Sequence, residues 1–402
     1  MIDLLISVVC LLVLIVLLLA AIWLDIYTGI RLNRPLLPPA VTMHSTNQLH
    51  YFSEGHALFA DMQQVIEQAT QRVSISFFIF ETDPVGMNWL NLLEKKARQG
   101  VTVRLLVDFL NSRPLRPHLA RLRAAGVVVA FSGKPRFPFT FYYLNRRNHR
   151  KLLIVDGQIG YFGGFNVGMA YLGNDPLMGN WHDNHLRVDG DGAAQLEQIF
   201  AADWHRATGS RFTLTPAAYP NNGGSALDLV ATNANQAETL LVNYFRSAHT
   251  SIIICSPYFV PSRKLFNVLL ECLADGIRLS ILVPMKADHA LVKPAAFHYL
   301  APLVEKGAHL YQFHQGFYHA KIFIVDQKRF YIGSANFDQR SLFWNDEVFG
   351  FCDDCSLARQ LVDQFEHESA EQSSELTKTD VSNRSWLERV QTICTLPFHF
   401  FL

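Results

Sequence analysis

The sequence of 402 residues lacks an excess of charge of either sign. Its 35 basic and 35 acidic residues cancel to a formal net charge of zero, and charged residues make up only 17% of the chain. A general nucleic-acid binder normally carries a basic excess, because it must neutralise phosphates. The composition therefore argues against nucleic acid as a partner. Since half of the residues are apolar, it favours large globular cores together with a membrane segment.

Cysteine is scarce and follows no disulfide framework. The six cysteines lie at positions 10, 255, 272, 352, 355 and 394. Such a scattered set is typical of a reducing compartment. Cys352 and Cys355 have a spacing found in zinc sites, which His182 and His185 could complete. No second cysteine pair supports such a site, so we expect neither a metal nor a cofactor.

A hydrophobic run without a single charge opens the chain. Residues 4–24, as a helix, are long enough to span a hydrocarbon core of about 30 Å. A cleaved signal peptide is the alternative, but no Lys or Arg precedes the run, and Trp23 and Asp25 lie where small residues would mark a cleavage site. Arg31 and Arg34 follow the run, so the positive-inside rule predicts a single-pass protein whose bulk is cytoplasmic.

Helix and strand patterns alternate in two successive passes. Helical patterns are predicted at residues 54–70, 89–99, 239–249 and 264–275, and buried strands at residues 73–80, 101–108, 251–259 and 277–283. Both passes have the same order, helix, strand, helix, strand. This repetition predicts an α/β fold in which one unit is used twice.

The composition between the passes predicts the domain boundaries. Proline follows the hydrophobic run, and a Pro-, Gly- and Asn-rich stretch separates the passes. The predicted segments are an anchor at 1–25, a linker at 26–48, a first domain at 49–209, an interdomain linker at 210–235, a second domain at 236–368 and a tail at 369–402. The aromatic end of the tail could pack on the domain or dip into a bilayer surface.

One short motif occurs once in each pass. In both copies a lysine follows a histidine by two residues, an aspartate by seven and an asparagine by seventeen. The copies are His149, Lys151, Asp156 and Asn166, and His319, Lys321, Asp326 and Asn336. On a strand, residues i and i+2 point to the same face, so each histidine and lysine should project together. Each aspartate falls at the turn that follows, where a hydrogen-bonding role suits it better than a reacting one.

The paired motif is suited to a phosphate oxyanion. Two ammonium groups and two amides would neutralise the charge that a phosphodiester gains in a pentacoordinate transition state. One imidazole can attack phosphorus, while the other protonates the departing alcohol and later deprotonates the incoming one. Because the lysines supply positive charge, a metal is unnecessary. The sequence therefore predicts metal-free phosphodiester chemistry at one site built from both copies.

The paired motifs resemble those of the phospholipase D superfamily, and the neighbouring sequence is similar to that of bacterial cardiolipin synthases. The similarity covers roughly residues 50–366 and includes NHRK at 148–151, SPYFVP at 256–261 and GSANFDQRS at 333–341. It implies two phospholipase D-like α/β/α domains in a pseudo-two-fold unit, located at the bacterial inner membrane. It also implies transfer of a phosphatidyl group between phospholipids, such as two phosphatidylglycerols. Such synthases often carry two N-terminal membrane helices, whereas one is visible here.

The resemblance implies roles for individual residues. His149 would be the nucleophile that forms a phosphatidyl-histidine, and His319 the acid and base. A carboxylate would hold each imidazole, and Asp183 and Glu347 are the expected residues, with Asp346 as the competitor of Glu347.

Two further residues within the similar segments, Ser334 and Arg150, are expected to bind substrate. A hydrolytic phospholipase D, with water as acceptor, shares the first chemical step and is the first alternative function. A nuclease of the same superfamily is a second, but the neutral charge and the membrane anchor argue against it. A catalytically idle scaffold is disfavoured because the second copy of the motif is intact.

Basic and aromatic residues cluster before and within the first motif. They are Lys134, Arg136, Arg146, Arg147 and Arg150, interleaved with Phe137, Phe139, Phe141, Tyr142 and Tyr143. Two interpretations stay open. The cluster could meet anionic lipid headgroups, or it could be a solvated basic face beside an aromatic core strand.

Overall fold

The computed structural model describes residues 2–214, 224–353 and 355–402, with the backbone alone for residues 2 and 355. The first half contains α1 (Ile2–Asn33), β1 (Val41–Phe52), α2 (Gly55–Gln68), β2 (Arg72–Phe77), α3 (Pro84–Arg98), β3 (Thr102–Asp108), α4 (Leu119–Ala124), β4 (Val128–Ser132), α5 (Thr140–Asn145), β5 (Leu152–Val155), β6 (Ile159–Gly163), β7 (Trp181–His182), β8 (His185–Gly190) and α6 (Asp191–Thr208). Short 3-10 helices cover Arg34–Leu36, Arg113–His118 and Met169–Leu172.

The second half repeats this order and adds a C-terminal segment. It contains β9 (Ser225–Asn233), α7 (Ala237–Arg246), β10 (Ser251–Cys255), β11 (Phe259–Val260), α8 (Arg263–Ala274), β12 (Arg278–Pro284), α9 (Val292–Glu305), β13 (His309–Phe313), β14 (Phe317–Tyr318), β15 (Ile322–Val325), β16 (Arg329–Gly333), β17 (Phe337–Asp338), α10 (Gln339–Phe343), β18 (Asp346–Cys352), α11 (Cys355–Glu371), β19 (Ser373–Leu376), α12 (Lys378–Ser382) and α13 (Trp386–Thr395). A 3-10 helix, Leu396–Phe401, ends the chain.

Strands of both halves form one continuous sheet of fifteen. Its order is β19-β13-β12-β10-β15-β16-β18-β9-β1-β8-β6-β5-β2-β3-β4. Apart from the edge strand β19, the order is symmetric about the central antiparallel pair of β9 and β1. The parallel strands β2, β3 and β4 of the first half correspond to β10, β12 and β13 of the second. The predicted α/β fold with two similar units related by a pseudo-two-fold axis is confirmed.

The two central strands lie in segments that the sequence predicts to be linkers. Strand β1 begins at Val41, inside the predicted linker 26–48, and β9 lies within the predicted linker 210–235. The sequence pattern does not reveal β1, because most of its side chains are at least partly exposed. Its backbone nevertheless pairs with a strand on either side. The linker prediction is therefore wrong for 41–48 and 225–233, and residues 215–223 lie outside the described residues.

Each half uses the same cap, helix and glycine before a buried strand. Asp83 caps α3 by accepting a hydrogen bond from the backbone amide of Gly86, and Ser262 caps α8 in the same way. Gly100 and Gly276 follow these helices with φ of 90° and 83°, a conformation that glycine adopts without strain. The chain then turns directly into β3 and β12. Local sequence signals therefore set this part of the repeat.

Apolar side chains cover both faces of the sheet. In β5, Leu152 and Ile154 belong to a cluster that runs across both halves beneath α6 and α11, while Leu153 and Val155 belong to the cluster of the first half on the other face. The second half has its own cluster on that other face. Because one cluster is shared, the halves form a single packed body, and the strands that carry the motifs are held rigidly.

Helix α1 projects from this body and is attached at its C-terminal end. Within the described ranges, Asp3–Leu36 is the one helical stretch long and apolar enough to cross a membrane, and its apolar window is fully exposed. The carboxylate of Asp25 accepts a hydrogen bond from the backbone amide of Tyr142 at 2.9 Å, and Ile26 packs on the same tyrosine. A Cβ at Gly29 would lie 2.5 Å from the Tyr142 Cβ, so glycine permits this close approach to α5.

Candidate active site

Two histidines that are distant in sequence line one cavity. The cavity has a volume of about 610 Å³, and the side chains around it include His149, Asn166, His319 and Asn336. Each histidine is 8% exposed, so an edge of each ring reaches the cavity while the rest is buried. The fold thus brings together one histidine and one asparagine from each copy of the motif.

Each histidine pairs with a carboxylate from the other half of the chain. His149 Nδ1 lies 3.0 and 3.1 Å from the two carboxylate oxygens of Glu347. His319 Nδ1 lies 2.6 Å from Asp183 Oδ2. Both carboxylates are buried. Because Nδ1 of each ring is held by a carboxylate, Nε2 is the nitrogen left for chemistry in the cavity.

Backbone pairing at the start of each motif explains why each histidine meets a carboxylate of the other half. The backbone amide of His149 donates to the carbonyl of Asp346 at 2.9 Å, and that of His319 donates to the carbonyl of His182 at 2.6 Å. Strand β14, which leads into the second motif, also pairs in parallel with β7. The segment entering each motif is therefore bonded to the carboxylate-bearing segment of the other half. For the two motif histidines, neither half alone therefore supplies both the imidazole and its carboxylate.

Of the two adjacent acidic residues, Glu347 holds the imidazole and Asp346 does not. Asp346 forms an ion pair with Arg146 at 2.9 Å, because neighbouring strand residues point to opposite faces. Ser334 is fully buried, and its hydroxyl donates to Glu347 Oε2 at 2.5 Å. The structure therefore does not place Ser334 among the residues that line the cavity, contrary to expectation. Its hydroxyl instead fixes the carboxylate that faces His149.

Arg150 also lies away from the cavity, although it was expected to bind substrate. Its side chain is buried and forms an ion pair with Asp203. It also donates to the carbonyl oxygens of Glu347 at 3.0 Å and Thr232 at 2.6 Å. As the strand neighbour of His149, it points to the opposite face. Arg150 thus joins the two halves.

The motif aspartates lie at the far ends of their strands. Asp156 accepts hydrogen bonds from the backbone amides of residues 70–72 at 2.8–2.9 Å, and Asp326 accepts from those of residues 249–251 at 2.7–3.1 Å. Burial opposes ionisation, but these amides outweigh it and lower the pKa of both carboxyls. Both aspartates therefore stabilise the turns before β2 and β10 and are not brought to the site.

The motif lysines are fully buried behind the histidines. Lys151 Nζ donates to the carbonyl oxygen of His149 at 2.7 Å, and Lys321 Nζ lies 3.5 Å from Asp183 Oδ1. Burial lowers the pKa of Lys151 to about 7 and that of Lys321 to about 8, against the attraction of nearby carboxylates. Of the described residues, those that line the cavity do not include either lysine. Their charge therefore acts on the cavity through space.

The charge states of the histidine pairs follow from the same burial. Burial lowers the pKa of His149 despite the opposing effect of Glu347. Burial and the charge of Lys321 lower the pKa of His319 to about 4. Burial alone would raise the pKa of Asp183, but Lys321 and His319 outweigh it and bring the pKa to about 2. At neutral pH the site thus holds two neutral imidazoles against ionised carboxylates, so Nε2 of each ring carries a lone pair.

The two motif asparagines reach the cavity from glycine-containing bends. Asn166 Oδ1 accepts a hydrogen bond from the backbone amide of Ile79 at 3.0 Å. Asn336 Nδ2 donates to Asp338 at 3.2 Å, while its Oδ1 is buried without a hydrogen-bond partner among the described residues. These contacts hold both amides at the cavity wall, as the spacing predicts.

Several cavity residues were not predicted from the sequence. Tyr258 lies with its ring 6.2 Å from that of His319, and its hydroxyl donates to Asp288. Arg340 and Leu402 also line the cavity. Tyr258 and Arg340 fall within segments quoted for the family resemblance, which could have identified them. No local pattern marks Asp288 or the C-terminal residue.

The zinc-like spacing of two cysteines has no counterpart in the described part of the chain. There, no group of three or more His, Cys, Asp or Glu side chains is arranged to hold a metal ion. The thiol of Cys352 lies 3.0 Å from the carbonyl oxygen of Ala226. The side chain of Cys355 lies outside the described residues.

Known proteins are similar to this chain in sequence and in fold. A family model described as "Cardiolipin synthase, PLD-like domain" matches residues 62–204 and 241–369. Minor cardiolipin synthase ClsB of Bacillus subtilis (strain 168) is 36% identical over 378 residues, which cover 94% of this chain and 95% of that protein. A cardiolipin synthase of Staphylococcus aureus (strain Mu50) is 35% identical over 367 residues, which cover 89% of this chain and 74% of that protein.

A solved structure agrees at the level of the fold. Phosphatidylserine synthase of Haemophilus influenzae Rd KW20 superposes with a TM-score of 0.67 at 13% identity, covering 88% of this chain and 95% of that one. The family match falls on both halves of the symmetric sheet, and the curated relatives extend along most of the chain. The chain therefore belongs to the cardiolipin synthase family of phospholipase D-like phosphatidyltransferases.

Proposed function

We propose that this protein moves a phosphatidyl group from one phospholipid to the hydroxyl of another, converting two phosphatidylglycerols into cardiolipin and glycerol. The observation that carries the proposal is the pair of imidazoles in one cavity, each bonded through Nδ1 to a buried carboxylate of the other half. Relatives that match along most of the chain are named cardiolipin synthases, which supports this choice of substrates.

In the first step, His149 Nε2 attacks the phosphorus of the donor lipid. The bond from phosphorus to the glycerol oxygen breaks, and His319 gives its proton to that oxygen. The phosphatidyl group stays on His149 as a phosphohistidine. Glu347 stabilises the positive charge that the attacking ring acquires. The negative charge of the bound phosphodiester favours the protonated form of His319, opposing the burial that lowers the pKa of this ring.

In the second step, a hydroxyl of a second phosphatidylglycerol takes the place of glycerol. His319 accepts its proton, the oxygen attacks phosphorus, and the bond from phosphorus to His149 breaks. The buried charges of Lys151 and Lys321 stabilise the pentacoordinate phosphorane in both steps, because charge acts strongly in a site of low dielectric. The same two histidines thus serve both halves of the reaction.

Transfer rather than hydrolysis requires that water be kept from the intermediate. Aromatic side chains, including Phe78, Tyr171 and Trp181, form part of the cavity wall. Helix α1 keeps the cavity near the bilayer in which both substrates reside. We propose that it crosses the bacterial inner membrane once, with the catalytic domain on the cytoplasmic side, since Arg31 and Arg34 follow it.

Lipid product analysis tests the proposal. Purified full-length protein is incubated with phosphatidylglycerol vesicles, and cardiolipin with an equal amount of glycerol is expected. His149→Ala should abolish turnover and the acid-labile phosphate on the protein. His249→Ala is the matched control, because His249 is exposed and lies at the opposite end of the fold. Phosphatidic acid as the product would identify a hydrolase, and cleaved plasmid with untouched lipid would identify a nuclease. Strong inhibition by a chelator would contradict metal-free chemistry.

A further inference from the structure

The C-terminal helix exposes its large apolar side chains, and the few side chains that it buries are polar. Large apolar side chains that are exposed in α13 and the 3-10 helix after it are Trp386, Leu387, Val390, Ile393, Leu396, Phe398 and Phe400. Trp386 and Ile393 are 75% and 63% exposed. The side chains buried in this segment are instead Thr392, Thr395 and His399. A soluble surface helix shows the reverse arrangement.

The spacing of these residues separates the two faces of α13. Trp386, Val390 and Ile393 follow one another by four and three residues and form one stripe. Thr392 and Thr395 fall on the opposite side, where α13 packs on α9. The helix is also well formed at its start, because Ser385 and Glu388 make a capping box.

The buried polar face has hydrogen-bond partners. His399 Nδ1 lies 3.1 Å from the hydroxyl of Tyr299, and His399 Nε2 lies 3.2 Å from the hydroxyl of Thr395. The orientation of the segment is therefore fixed by specific contacts, and the apolar stripe is held outward by them. An exposed apolar stripe of this length marks a contact surface.

The apolar stripe ends beside the candidate membrane helix. The ring of Trp344 lies 5.1 Å from that of Phe400 and 6.0 Å from that of Phe401. Trp344 also belongs to the cluster in which Ile26 of α1 packs on Tyr142. The end of the chain therefore lies where the exposed apolar part of α1 meets the folded body.

A second exposed apolar element flanks α1 in the loop before α5. Phe137 is 94% exposed and follows Lys134 and Arg136, which are exposed too. Phe139 in the same loop packs on the cluster at the base of α1. The other cations of this region point inward, in ion pairs of Arg146 with Asp346, Arg147 with Asp108 and Arg150 with Asp203. The loop thus presents an exposed aromatic tip beside two exposed cations, of which Arg136 also donates to the carbonyl oxygen of Arg206.

We infer that α13, its 3-10 extension and the loop at Phe137 form a second membrane-contacting surface around α1, in the interfacial plane of a lipid bilayer. Continuity with α1 identifies the bilayer as the occupant, because a membrane reached by that helix also reaches the elements at its base. An apolar stripe together with flanking cations is the chemistry that binds anionic lipid surfaces.

The proposed membrane-contacting surface lies next to the catalytic cavity. Leu144, Phe401 and Leu402 line that cavity. Phe401 belongs to the 3-10 extension and Leu402 follows it, while Leu144 lies in α5, the helix that follows the loop at Phe137. A headgroup could therefore pass from the bilayer surface to the histidines without crossing bulk water. This consequence rests on the proposed function, whereas the contact itself does not.

Depth-dependent fluorescence quenching tests the contact. Full-length protein in which Cys10, Cys355 and Cys394 are replaced by Ser is given a single new cysteine, by Ile393→Cys or by Phe137→Cys. Each is labelled with an environment-sensitive fluorophore and reconstituted into phosphatidylglycerol–phosphatidylcholine vesicles. Gln391→Cys is the matched control, since Gln391 is exposed on another side of the same helix. Doxyl-labelled lipids should quench the labels at 393 and 137 at least about threefold more than the control label.

Equal quenching at 393 and 391, or no quenching at 137, would overturn the inference. Efficient energy transfer between labels at 393 on two copies, without quenching by lipid, would also overturn it, because a second copy would then cover the stripe. The label at 137 is independent of any local damage to α13. The measurement needs no turnover, so a failure of the proposed reaction leaves it unaffected.

Discussion

Each motif histidine is held by a carboxylate from the other half of the chain. Mutating one carboxylate at a time therefore distinguishes the roles of the two histidines. Glu347→Gln keeps the shape of the side chain but removes the charge 3.0 Å from His149 Nδ1. Asp183→Asn does the same for His319. Breaking a buried ion pair costs about 3–5 kcal/mol. If that loss falls on the transition state, each variant should slow its step by about 10²- to 10⁴-fold.

An activated substrate separates the two steps. With a phosphatidyl ester of p-nitrophenol, the leaving group needs no proton, so the first step depends on the nucleophile alone. Asp183→Asn should then still release a burst of nitrophenol and accumulate the phosphohistidine, because only the acid and base is impaired. Glu347→Gln should show a burst slowed by about 10²-fold or more, because the nucleophile is impaired. Rapid-mixing absorbance and acid-labile phosphate on the protein measure both.

The opposite pattern would refute the assignment. A normal burst in Glu347→Gln together with a lost burst in Asp183→Asn would make His319 the nucleophile. Equal effects of both variants on the burst would show that the carboxylates do not act on separate rings. Unchanged thermal unfolding is the control for each variant, since both carboxylates are buried.

Turnover should fall as the pH rises from about 7 to about 8, because Lys151 and Lys321 are charged only below their pKa values of about 7 and about 8. A pH–rate profile that rises across this window would contradict the electrostatic role. Asp156→Asn should lower the free energy of unfolding by ~1 kcal/mol, which shifts the melting temperature of a single body of this size by only about 1 °C, with turnover retained. Because the pKa of Asp156 is lowered in the folded state, the difference from the wild type should hold above the ordinary carboxyl pKa and vanish as the pH falls through the folded-state pKa. If a folded Asp156→Asn variant lost more than about tenfold in turnover, Asp156 would have to act in the active site after all. Arg150→Met should destabilise the fold by about 3 kcal/mol, the low end for a broken buried pair, since other donors remain on Asp203. Urea unfolding checks this, and a change below about 0.5 kcal/mol, as at a surface site, would show that the pair contributes nothing.

Much of the fold could be predicted because its signals are local. The helices α3 and α8 have capping residues before them and glycines after them, and the strands that follow are rich in buried apolar residues. Strands β1 and β9 were missed because their stability comes from pairing with each other and with neighbours far along the chain. Most side chains of β1 are also at least partly exposed and carry little apolar pattern, so its sequence does not distinguish it from a linker.

In the candidate site, too, local sequence patterns predicted some features, while others depend on contacts between distant residues. The repeated spacing of His149 and His319 predicted a shared site, and the position of the motif aspartates at the turns after the strands predicted a hydrogen-bonding role for them. Periodicity also points Arg150 away from His149, but the expectation that it binds substrate came from the family resemblance and overlooked this. Its contacts with Asp203 and Thr232 became visible only in the structure.

The sequence by itself determined the chemistry, because two identical sets of imidazole, ammonium and amide groups at fixed offsets are suited to one phosphate whatever the fold around them. Only the tertiary structure decided which carboxylate serves which histidine, that Ser334 holds Glu347, and that the tail turns its apolar face outward. These features depend on contacts between residues that lie far apart in the chain or in opposite halves. Such contacts arise when the two halves close around β1 and β9, and no local pattern records them.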